Sequence, residues 1–298
     1  MKFYLIFHIL LFLFITFLIE GISYASSDSL TGGDNTYVVV KGDTIDLIAS
    51  KLGVRASKLI EDNKLQEVKR LKTGTTLRYN NLRIIPKTIP SGIIINIPER
   101  MLYYFNDNKL VMVFPVGLGK IFSKGDTKWH TPLGEFSVKN KQKDPFWYVP
   151  VSIQREMEKE GKPVELIVSP GPDNPLGRFI VRTSLQNIHI HETIYPNSVH
   201  RFSSHGCVRV LPKDMERFYP LVQINTPGEL IYKPVKALYH NNKVYLEIHK
   251  DYYNKYPNYE DEVRNQLEKT GAIQRVDWQK VERAIKERLG TAVDVTKY

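Results

Sequence analysis

Short apolar runs separated by turn-forming residues occupy the middle of the chain. They are rich in β-branched and aromatic residues, and their lengths are typical of strands. The pattern predicts strands over 92–97, 101–105, 110–116, 135–139, 179–182 and 188–191. Asn106-Asp107-Asn108 has the composition of a hairpin turn, and helical spacing is scarce, found mainly at 151–160 and 212–219. Residues 92–235 are therefore predicted to form a mainly-β body, a sandwich or a barrel.

A smaller pattern precedes this body. The predicted elements are a strand at 37–40, helices at 45–52 and 57–63, and a strand from Gly74. The turn Gly42-Asp43-Thr44 ends in residues that favour a helix N-terminus. The order strand, helix, helix, strand predicts a small unit over 36–80. The proline-containing stretch 84–90 is a stiff connection to the body.

The segment after the body, residues 236–298, has helical character. A strand at 244–249 is followed by predicted helices at 259–269 and 276–289. Four residues of the last helix fall on one face: Trp278, Val281, Ile285 and Leu289. We expect this face to pack on the β body or on a partner.

The first 25 residues have the pattern of an export signal. Lys2 precedes an apolar run over 3–19, and Ser23-Tyr24-Ala25 offers the small residues that a signal peptidase reads. The run is nearly long enough to span a bilayer, so an uncleaved anchor is the alternative, and membrane contact is expected only in that case. Either reading places the rest of the chain outside the cytoplasm, in the periplasm or cell envelope.

The formal net charge is +10, which suits an acidic partner or serves solubility alone. The sequence shows no recognisable nucleic-acid module and no dense run of Lys or Arg, so we favour an anionic envelope surface and expect no nucleic-acid partner. The chain contains one cysteine, which cannot form an internal disulfide. In an oxidising compartment a lone thiol is a liability unless it is used.

That cysteine, Cys207, lies in the stretch 203–209, Ser-Ser-His-Gly-Cys-Val-Arg. A lone cysteine is more often a buried apolar residue than a nucleophile, but these polar neighbours do not make an apolar core strand. His189 and His191 lie upstream on a predicted strand, and a histidine that takes the thiol proton would activate the sulfur. Gly206 allows a sharp turn that exposes the neighbouring amide to an oxyanion.

The stretch 204–209, with His191 and Thr193 before it, resembles the signature of the YkuD-type L,D-transpeptidases of bacterial cell walls. Two further stretches resemble motifs of that family: 131–136, Thr-Pro-Leu-Gly-Glu-Phe, and 174–177, Asn-Pro-Leu-Gly. The chain departs from the family at Glu192, where glycine is common. The resemblance covers roughly 92–235 and implies a β-sandwich or barrel-like fold, no cofactor, and acyl transfer on peptidoglycan stem peptides through a cysteine thioester.

The resemblance assigns the catalytic roles to Cys207 as nucleophile and His191 as general base. Strand alternation would place His189 on the same face, so His189 is the competing base. The residues expected to form the oxyanion loop are Gly206, Ser204 and His205, with the amides of Gly206 and Cys207 as donors. The residues expected to touch substrate are Arg209, Trp147, Thr193 and His189.

Two of these substrate roles have structural alternatives. The planar fork of Arg209 suits a substrate carboxylate, but the same side chain could form a buried ion pair that shapes the loop. Trp147 follows a proline-containing turn and is predicted to wall the cleft, although a core aromatic residue needs no such role.

The unit over 36–80 resembles a LysM domain, which binds glycans that contain N-acetylglucosamine. Tyr37, Gly42-Asp43-Thr44, Asn63 and Gly74 stand where that family's pattern has them, and Arg78-Tyr79-Asn80 departs from it. The expected partners are therefore the glycan strands and stem peptides of peptidoglycan. The alternative is a spacer of LysM shape that binds no ligand.

Three alternatives concern the activity itself. The acceptor could be a stem peptide, an envelope lipoprotein, or water, which would make the enzyme an L,D-carboxypeptidase. The chain could instead be a non-catalytic wall-binding protein. A zinc site is the third alternative, and its ligands would be His189, His191, His200, His205 and Cys207. No carboxylate stands at a known metal-binding spacing, so we predict no metal.

Overall fold

The computed structural model describes residues 30–66, 71–121 and 129–298. The predicted export signal at 1–25 lies outside the described residues. Within these three ranges, no helix is both long and apolar enough to cross a membrane.

The N-terminal unit is a small sheet packed on two short helices. Its elements are β1 (Leu30–Thr31), β2 (Asp34–Val38), α1 (Ile45–Leu52), α2 (Ala56–Asp62), β3 (Thr76–Asn80) and β4 (Arg83–Ile84). β2 pairs with β3 and β1 with β4, both in antiparallel. Ile48, Leu59 and Leu77 are at most 1% exposed at its centre. The predicted strand-helix-helix-strand order is confirmed.

Polar side chains hold the turn before α1. Asp43 accepts a hydrogen bond from the Tyr37 hydroxyl at 2.8 Å and forms an ion pair with Lys51 at 2.6 Å. Thr44 caps the helix because its hydroxyl accepts from the Leu47 amide at 3.2 Å. The Gly-Asp-Thr turn is thus built by the side chains that the sequence pattern singled out.

The central unit contains most of the strands and is mainly β, as predicted. Its elements are β5 (Gly92–Asn96), β6 (Met101–Asn106), β7 (Lys109–Gly119), β8 (Gly134–Lys143), β9 (Trp147–Tyr148), α3 (Val151–Lys159), β10 (Ile167–Val168), β11 (Phe179–Thr183), β12 (His189–Glu192), β13 (Phe202–Ser204), β14 (Val208–Val210), α4 (Pro212–Phe218) and β15 (Pro227–Ile231). The hairpin between β6 and β7 turns at Asp107 and Asn108, whose φ angles are 50° and 61°. Two positive φ angles are what a tight hairpin turn of this kind needs.

Nine of the described strands form one sheet, in the order β13-β7-β14-β12-β11-β8-β15-β5-β6. Because β6 also pairs with β7, the sheet closes into a barrel, and β13 extends it beside the far end of β7. β12 and β14 are parallel neighbours, whereas β12 and β11 are antiparallel. Ile93, Val116, Ile190 and Val208 fill the barrel and are at most 1% exposed.

The C-terminal unit is a three-stranded sheet covered by two helices. Its elements are β16 (Val235–His240), β17 (Lys243–Ile248), α5 (Tyr259–Lys269), α6 (Trp278–Glu287) and β18 (Ala292–Asp294). The strand order is β16-β17-β18, and Leu246, Leu267 and Val281 meet in its core.

The predicted apolar face of the last helix is correct only in part. Val281 is buried, but Trp278 is 38% exposed, and Ala284 is buried instead. Arg288 adopts a left-handed conformation that ends α6, so Leu289 lies beyond the helix. The predicted helix was too long because the sequence showed no glycine or proline to stop it before Leu289.

A buried ionic cluster joins the three units. The Lys236 ammonium of β16 contacts the Glu99 carboxylate and lies 2.9 Å from Glu247 Oε1. All three side chains are at most 4% exposed. Next to them, the buried guanidinium of Arg83 donates to the carbonyl of Gly53, at the end of α1. Because buried charges are stable only when paired, the cluster holds the three units in a fixed relation.

Candidate active site

Two parallel strands bring the predicted catalytic elements together. His191 in β12 and Arg209 in β14 are register partners. Their neighbours Ile190 and Val208 point into the barrel, so strand alternation turns His191 and Arg209 to the opposite face. Cys207 immediately precedes β14 and therefore lies beside them.

A cleft of about 630 Å³ opens over this face. It is lined by six of the residues predicted for the site: Cys207, His191, Arg209, Trp147, Ser204 and His205. The wall is completed by residues that the sequence pattern did not assign to the site, among them Trp129, His130 and Asn187. Trp129 and His130 directly precede the Thr-Pro-Leu-Gly motif at 131–136, and that adjacency was the signal that could have found them.

A tight turn presents the cysteine. The hydroxyl of Ser204 donates to the Cys207 carbonyl at 2.6 Å and accepts from the Gly206 amide at 3.1 Å. Gly206 has a φ of 115°, and a Cβ there would meet Ile188 at 3.0 Å. A side chain at this position would strain the backbone and crowd its neighbour, which explains why glycine precedes Cys207.

The Gly206 amide does not act as predicted in this structure. Because it donates to Ser204, it is not free to donate to an oxyanion. The amide of Cys207 has no such partner among the described residues and remains available as a donor. Ser204 has the loop-holding role that the sequence predicted for it.

The thiol of Cys207 is partly exposed and uncharged at rest. It donates a weak hydrogen bond to the Asn187 carbonyl, with 3.3 Å between the sulfur and the oxygen. Burial raises the pKa of the Cys207 thiol, and the His189 amide and the charges of Arg209 and Arg182 oppose this only in part. The sulfur therefore needs a base to become a thiolate near neutral pH.

His191 has the tautomer that a base requires. Its Nδ1 lies 2.6 Å from the carbonyl oxygen of Glu192, and since a carbonyl only accepts, Nδ1 carries the proton. Nε2 of the neutral ring is then an acceptor. Burial lowers the pKa of His191 to about 4; the Glu192 carbonyl opposes this shift and the charge of Arg209 adds to it. The ring is thus neutral over the physiological range.

No hydrogen bond joins the Cys207 thiol to His191 in the described part of the chain; the two side chains share the cleft. Catalytic hydrogen bonds are often long in sites without substrate and tighten when substrate binds. His189 is not among the residues that line the cleft. Its Nδ1 is buried without a hydrogen-bond partner, and its strand partner is Arg182. Its predicted contact with substrate is not supported by this placement.

Thr193 has a structural role, contrary to the prediction that it touches substrate. It is fully buried, its amide donates to the Val210 carbonyl at 3.0 Å, and its hydroxyl accepts from the Tyr195 amide at 3.1 Å. Glu192, at the position where glycine is common, turns away from the cleft and accepts from Arg178 at 3.3 Å. Gly177 provides the space for it, since a Cβ there would lie 2.6 Å from the Glu192 Cβ.

His205 points away from the thiol. Its Nε2 lies 2.9 Å from a carboxylate oxygen of Glu156 in α3, and its ring packs on Trp129 with 4.1 Å between centroids. Lys120 adds a cation 3.8 Å from Glu156. His205 therefore ties the cysteine loop to α3 and is not positioned as a second base.

Arg209 presents an unpaired cation to the cleft. Its guanidinium is partly buried and lies 6.0 Å from the ring centroid of Tyr195. The described residues place no carboxylate within ion-pair distance of it, so the alternative of a buried ion pair is not what the structure shows. A partly buried, unpaired guanidinium is suited to an incoming carboxylate.

The alternative zinc ligands do not gather among the described residues. His205 bonds to Glu156, and His200 Nε2 lies 3.2 Å from the carbonyl oxygen of Glu99, outside the cleft. In the same part of the chain, one group of possible ligands does meet: Glu99, Glu247 and His249. The Lys236 ammonium pairs with both of its carboxylates and offsets part of their charge.

These features define a cysteine acyltransferase built on a closed β barrel, and comparison with known proteins agrees. A profile of the L,D-transpeptidase catalytic domain, YkuD, matches residues 90–236, and a LysM domain profile matches 37–79. The chain belongs to the YkuD family of L,D-transpeptidases and carries a LysM domain on its N-terminal side.

Two relatives illustrate the extent of the match. The Probable L,D-transpeptidase ErfK/SrfK of Escherichia coli (strain K12) is 28% identical over 277 residues, which cover 90% of this chain and 87% of that protein. YqjB of Bacillus subtilis (strain 168), which carries an L,D-transpeptidase name, is 30% identical over 139 residues, or 45% of this chain and 67% of its own.

Among solved structures, a crystal structure of an Enterococcus faecium L,D-transpeptidase mutant is 19% identical, with a TM-score of 0.34. It covers 47% of this chain and 49% of its own. That likeness is too distant to bear on the details of the site.

Proposed function

We propose that Cys207 is the nucleophile and His191 the general base of an L,D-transpeptidase that acts on peptidoglycan stem peptides. The observation that carries the proposal is geometric. Cys207 and His191 line one cleft, and the Glu192 carbonyl holds the Nδ1 proton of His191, so Nε2 can accept the thiol proton. This arrangement favours proton transfer at the moment of attack over a resting thiolate.

Acylation would then proceed through the formation and collapse of a tetrahedral intermediate. Nε2 of His191 takes the thiol proton while Sγ of Cys207 attacks the donor carbonyl and the C=O pair moves to oxygen. As the tetrahedral intermediate collapses, His191 returns the proton to the departing nitrogen, and a D-amino acid leaves. The product is a thioester on Cys207.

Deacylation repeats the sequence with the acceptor. Its amine attacks the thioester carbonyl and gives a proton to His191, which returns it to the departing sulfur. The new bond is an amide, and the thiol is restored. Water in place of the amine would give a carboxylate, so the L,D-carboxypeptidase alternative uses the same acyl-enzyme.

We propose that the amide of Cys207 donates the hydrogen bond that stabilises the oxyanion. The Gly206 amide would be a second donor only after its bond to Ser204 breaks. Loss of one hydrogen-bond donor of this type lowers kcat by about 10²–10³-fold. We propose that Arg209 binds the carboxylate of the donor peptide. Trp147, which is half-buried, forms part of the cleft wall.

The remaining parts of the chain fit action at the cell envelope. We propose that 36–80 binds glycan strands, that 92–235 is the catalytic domain, and that 236–298 is an added unit that supports it. Export by the segment at 1–25 would bring these units to the wall, in the periplasm or cell envelope. An amine of a neighbouring stem peptide is the acceptor we favour, and a lipoprotein lysine would enter by the same chemistry.

The deciding experiment is incubation with a disaccharide-tetrapeptide, with the products identified by mass. A crosslinked dimer together with a released D-amino acid would support transpeptidation. A tripeptide and a released D-amino acid without the dimer would indicate hydrolysis. Unchanged substrate, with the protein folded and its thiol reduced, would overturn the proposal.

A further inference from the structure

A tyrosine of the C-terminal segment reaches the edge of the active-site cleft. Tyr253 lies in the stretch between β17 and α5, and the family profile ends well before it, at residue 236. Its hydroxyl donates to the main-chain carbonyl of Thr131 at 2.9 Å. Its ring stacks on His130 with 4.5 Å between centroids and 7° between planes. His130 itself lines the cleft.

Thr131 links Tyr253 to the cysteine loop. Its hydroxyl donates to the Gly206 carbonyl at 2.9 Å and accepts from the Gly119 amide at the same distance. Thr131 is fully buried, so water cannot replace either bond. Gly206 immediately precedes Cys207, which means that two hydrogen bonds and two residues, Thr131 and Gly206, link Tyr253 to Cys207.

The packing leaves this relay little freedom. A Cβ on Gly119 would lie 1.9 Å from the Trp129 carbonyl, 2.8 Å from the Thr131 amide and 3.0 Å from the Gly206 Cα. The segment at 129–131 is thus held in main-chain contact with both β7 and the cysteine loop. A shift of Thr131 would therefore move Gly206.

Tyr253 is itself well anchored. Its amide donates to the Tyr232 hydroxyl at 2.7 Å, and that hydroxyl donates in turn to Asp251 at 2.5 Å. The rings of Tyr232 and Tyr253 stack with 5.0 Å between centroids. Asp251 also accepts from the Tyr256 amide at 2.8 Å, which fixes the strap of residues 251–256 against the barrel.

We propose that Tyr253 is a positioning residue for the nucleophile, acting through Thr131 and Gly206, and that the C-terminal unit thereby completes the active site. The inference deepens the proposed function, since it takes Cys207 as the nucleophile. The hydroxyl of Tyr253 holds Thr131, and Thr131 holds the carbonyl that precedes the cysteine. The Cys207 sulfur and amide then keep their places relative to His191.

Tyr253→Phe removes the hydroxyl and keeps both ring stacks. The matched control is Tyr256→Phe on the same strap, where the lost contact is a 3.5 Å hydrogen bond to the Tyr232 carbonyl and has no link to Thr131. Two readouts apply: the rate of acylation by a donor tetrapeptide, followed by intact mass, and the pH profile of Cys207 alkylation by iodoacetamide. Alkylation does not require the enzyme to be a transpeptidase, so its result stands even if the proposed function fails.

We expect Tyr253→Phe to slow acylation about tenfold with KM unchanged, because a small misplacement of a reacting group is costly. Its alkylation midpoint should move, since the sulfur changes its contacts with Asn187 and the His189 amide. Tyr256→Phe should match the wild type in both readouts. Wild-type rates and midpoint in Tyr253→Phe would overturn the inference, as would an equal loss in Tyr256→Phe.

A second pair of variants, at Thr131, tests the hydrogen-bond relay if Tyr253→Phe fails to fold. Thr131→Ser keeps the hydroxyl that donates to Gly206, whereas Thr131→Val removes it at nearly the same volume. The relay predicts that the valine variant loses acylation rate and that the serine variant keeps it. Equal rates in the two variants would overturn the relay.

Discussion

His191 and Arg209 are register partners across the parallel pair β12 and β14, and they face the same cleft. The pairing places a fixed cation beside a buried imidazole. That cation adds to the effect of burial, which lowers the pKa of His191 to about 4. The same guanidinium has no carboxylate partner among the described residues, so one side chain both adds to the pKa shift of His191 and is available to a substrate anion.

The pH dependence of acylation follows from that pKa. Below about 4 His191 is protonated and cannot take the thiol proton, and above it the neutral ring can. We therefore expect kcat/KM for a tetrapeptide donor to fall only as the pH drops through about 4. Circular dichroism over the same range would show whether the fold survives. A fall in kcat/KM centred on the ordinary histidine pKa, 6.5, would contradict the assignment of His191 as the base.

Replacing the nucleophile should abolish turnover without harming the fold. Cys207→Ala removes one partly exposed sulfur that makes only weak hydrogen bonds, to the Asn187 carbonyl and with the His189 amide. Activity should be lost while the thermal midpoint stays close to that of the wild type. Exposure to a carbapenem should add mass to the wild type and none to Cys207→Ala. An adduct on the alanine variant would place the reactive group elsewhere.

The two strand histidines should differ in their effects. His191→Ala should lower the acylation rate by about 10²–10⁴-fold, the usual range for loss of a general base. His189→Ala should cost much less, because His189 does not line the cleft. Single-turnover acylation followed by mass measures both. A larger loss in His189→Ala would move the base two residues upstream.

Arg209→Gln should weaken the binding of donors that carry a terminal carboxylate. A planar amide keeps part of the shape of guanidinium but lacks its charge, so KM should rise about 10–100-fold, as expected for loss of a charge-assisted hydrogen bond. The comparison is a donor whose terminal carboxylate is amidated, for which wild type and variant should differ little. An equal loss with both donors would show that Arg209 acts on the loop and not on the carboxylate.

The buried ionic cluster should dominate the stability of the three-unit arrangement. Lys236→Ala leaves the carboxylates of Glu99 and Glu247 buried without their shared cation, which should cost about 3–5 kcal/mol in the free energy of unfolding. Lys243→Ala, on the neighbouring strand, removes only a partly exposed ion pair with Asp294 and should change little. Urea unfolding measures both. Equal small changes would contradict the role of the cluster.

Local pattern was enough to predict much of this protein. Short runs of β-branched and aromatic residues between turns predicted six barrel strands, and the helical spacing of Ile45, Ile48, Ala49 and Leu52 predicted α1, because both patterns are read from neighbouring residues. The only cysteine, next to glycine and downstream of two histidines, was a candidate nucleophile from its neighbours, and the resemblance to the family assigned it that role. Strand alternation around Ile190 also predicted that His191 faces away from the core.

Tertiary structure alone decided which side chains share the cleft. Thr193 is close to His191 in the chain yet is buried in a turn, while Trp129, more than sixty residues away, lines the wall. The closure of β6 on β7, the ion pairs of Lys236 and the reach of Tyr253 to Thr131 join residues that are distant in sequence. Such contacts depend on how whole units pack, because each is set by the shape of both partners. A local hydrophobic pattern specifies only which face of each unit is inward.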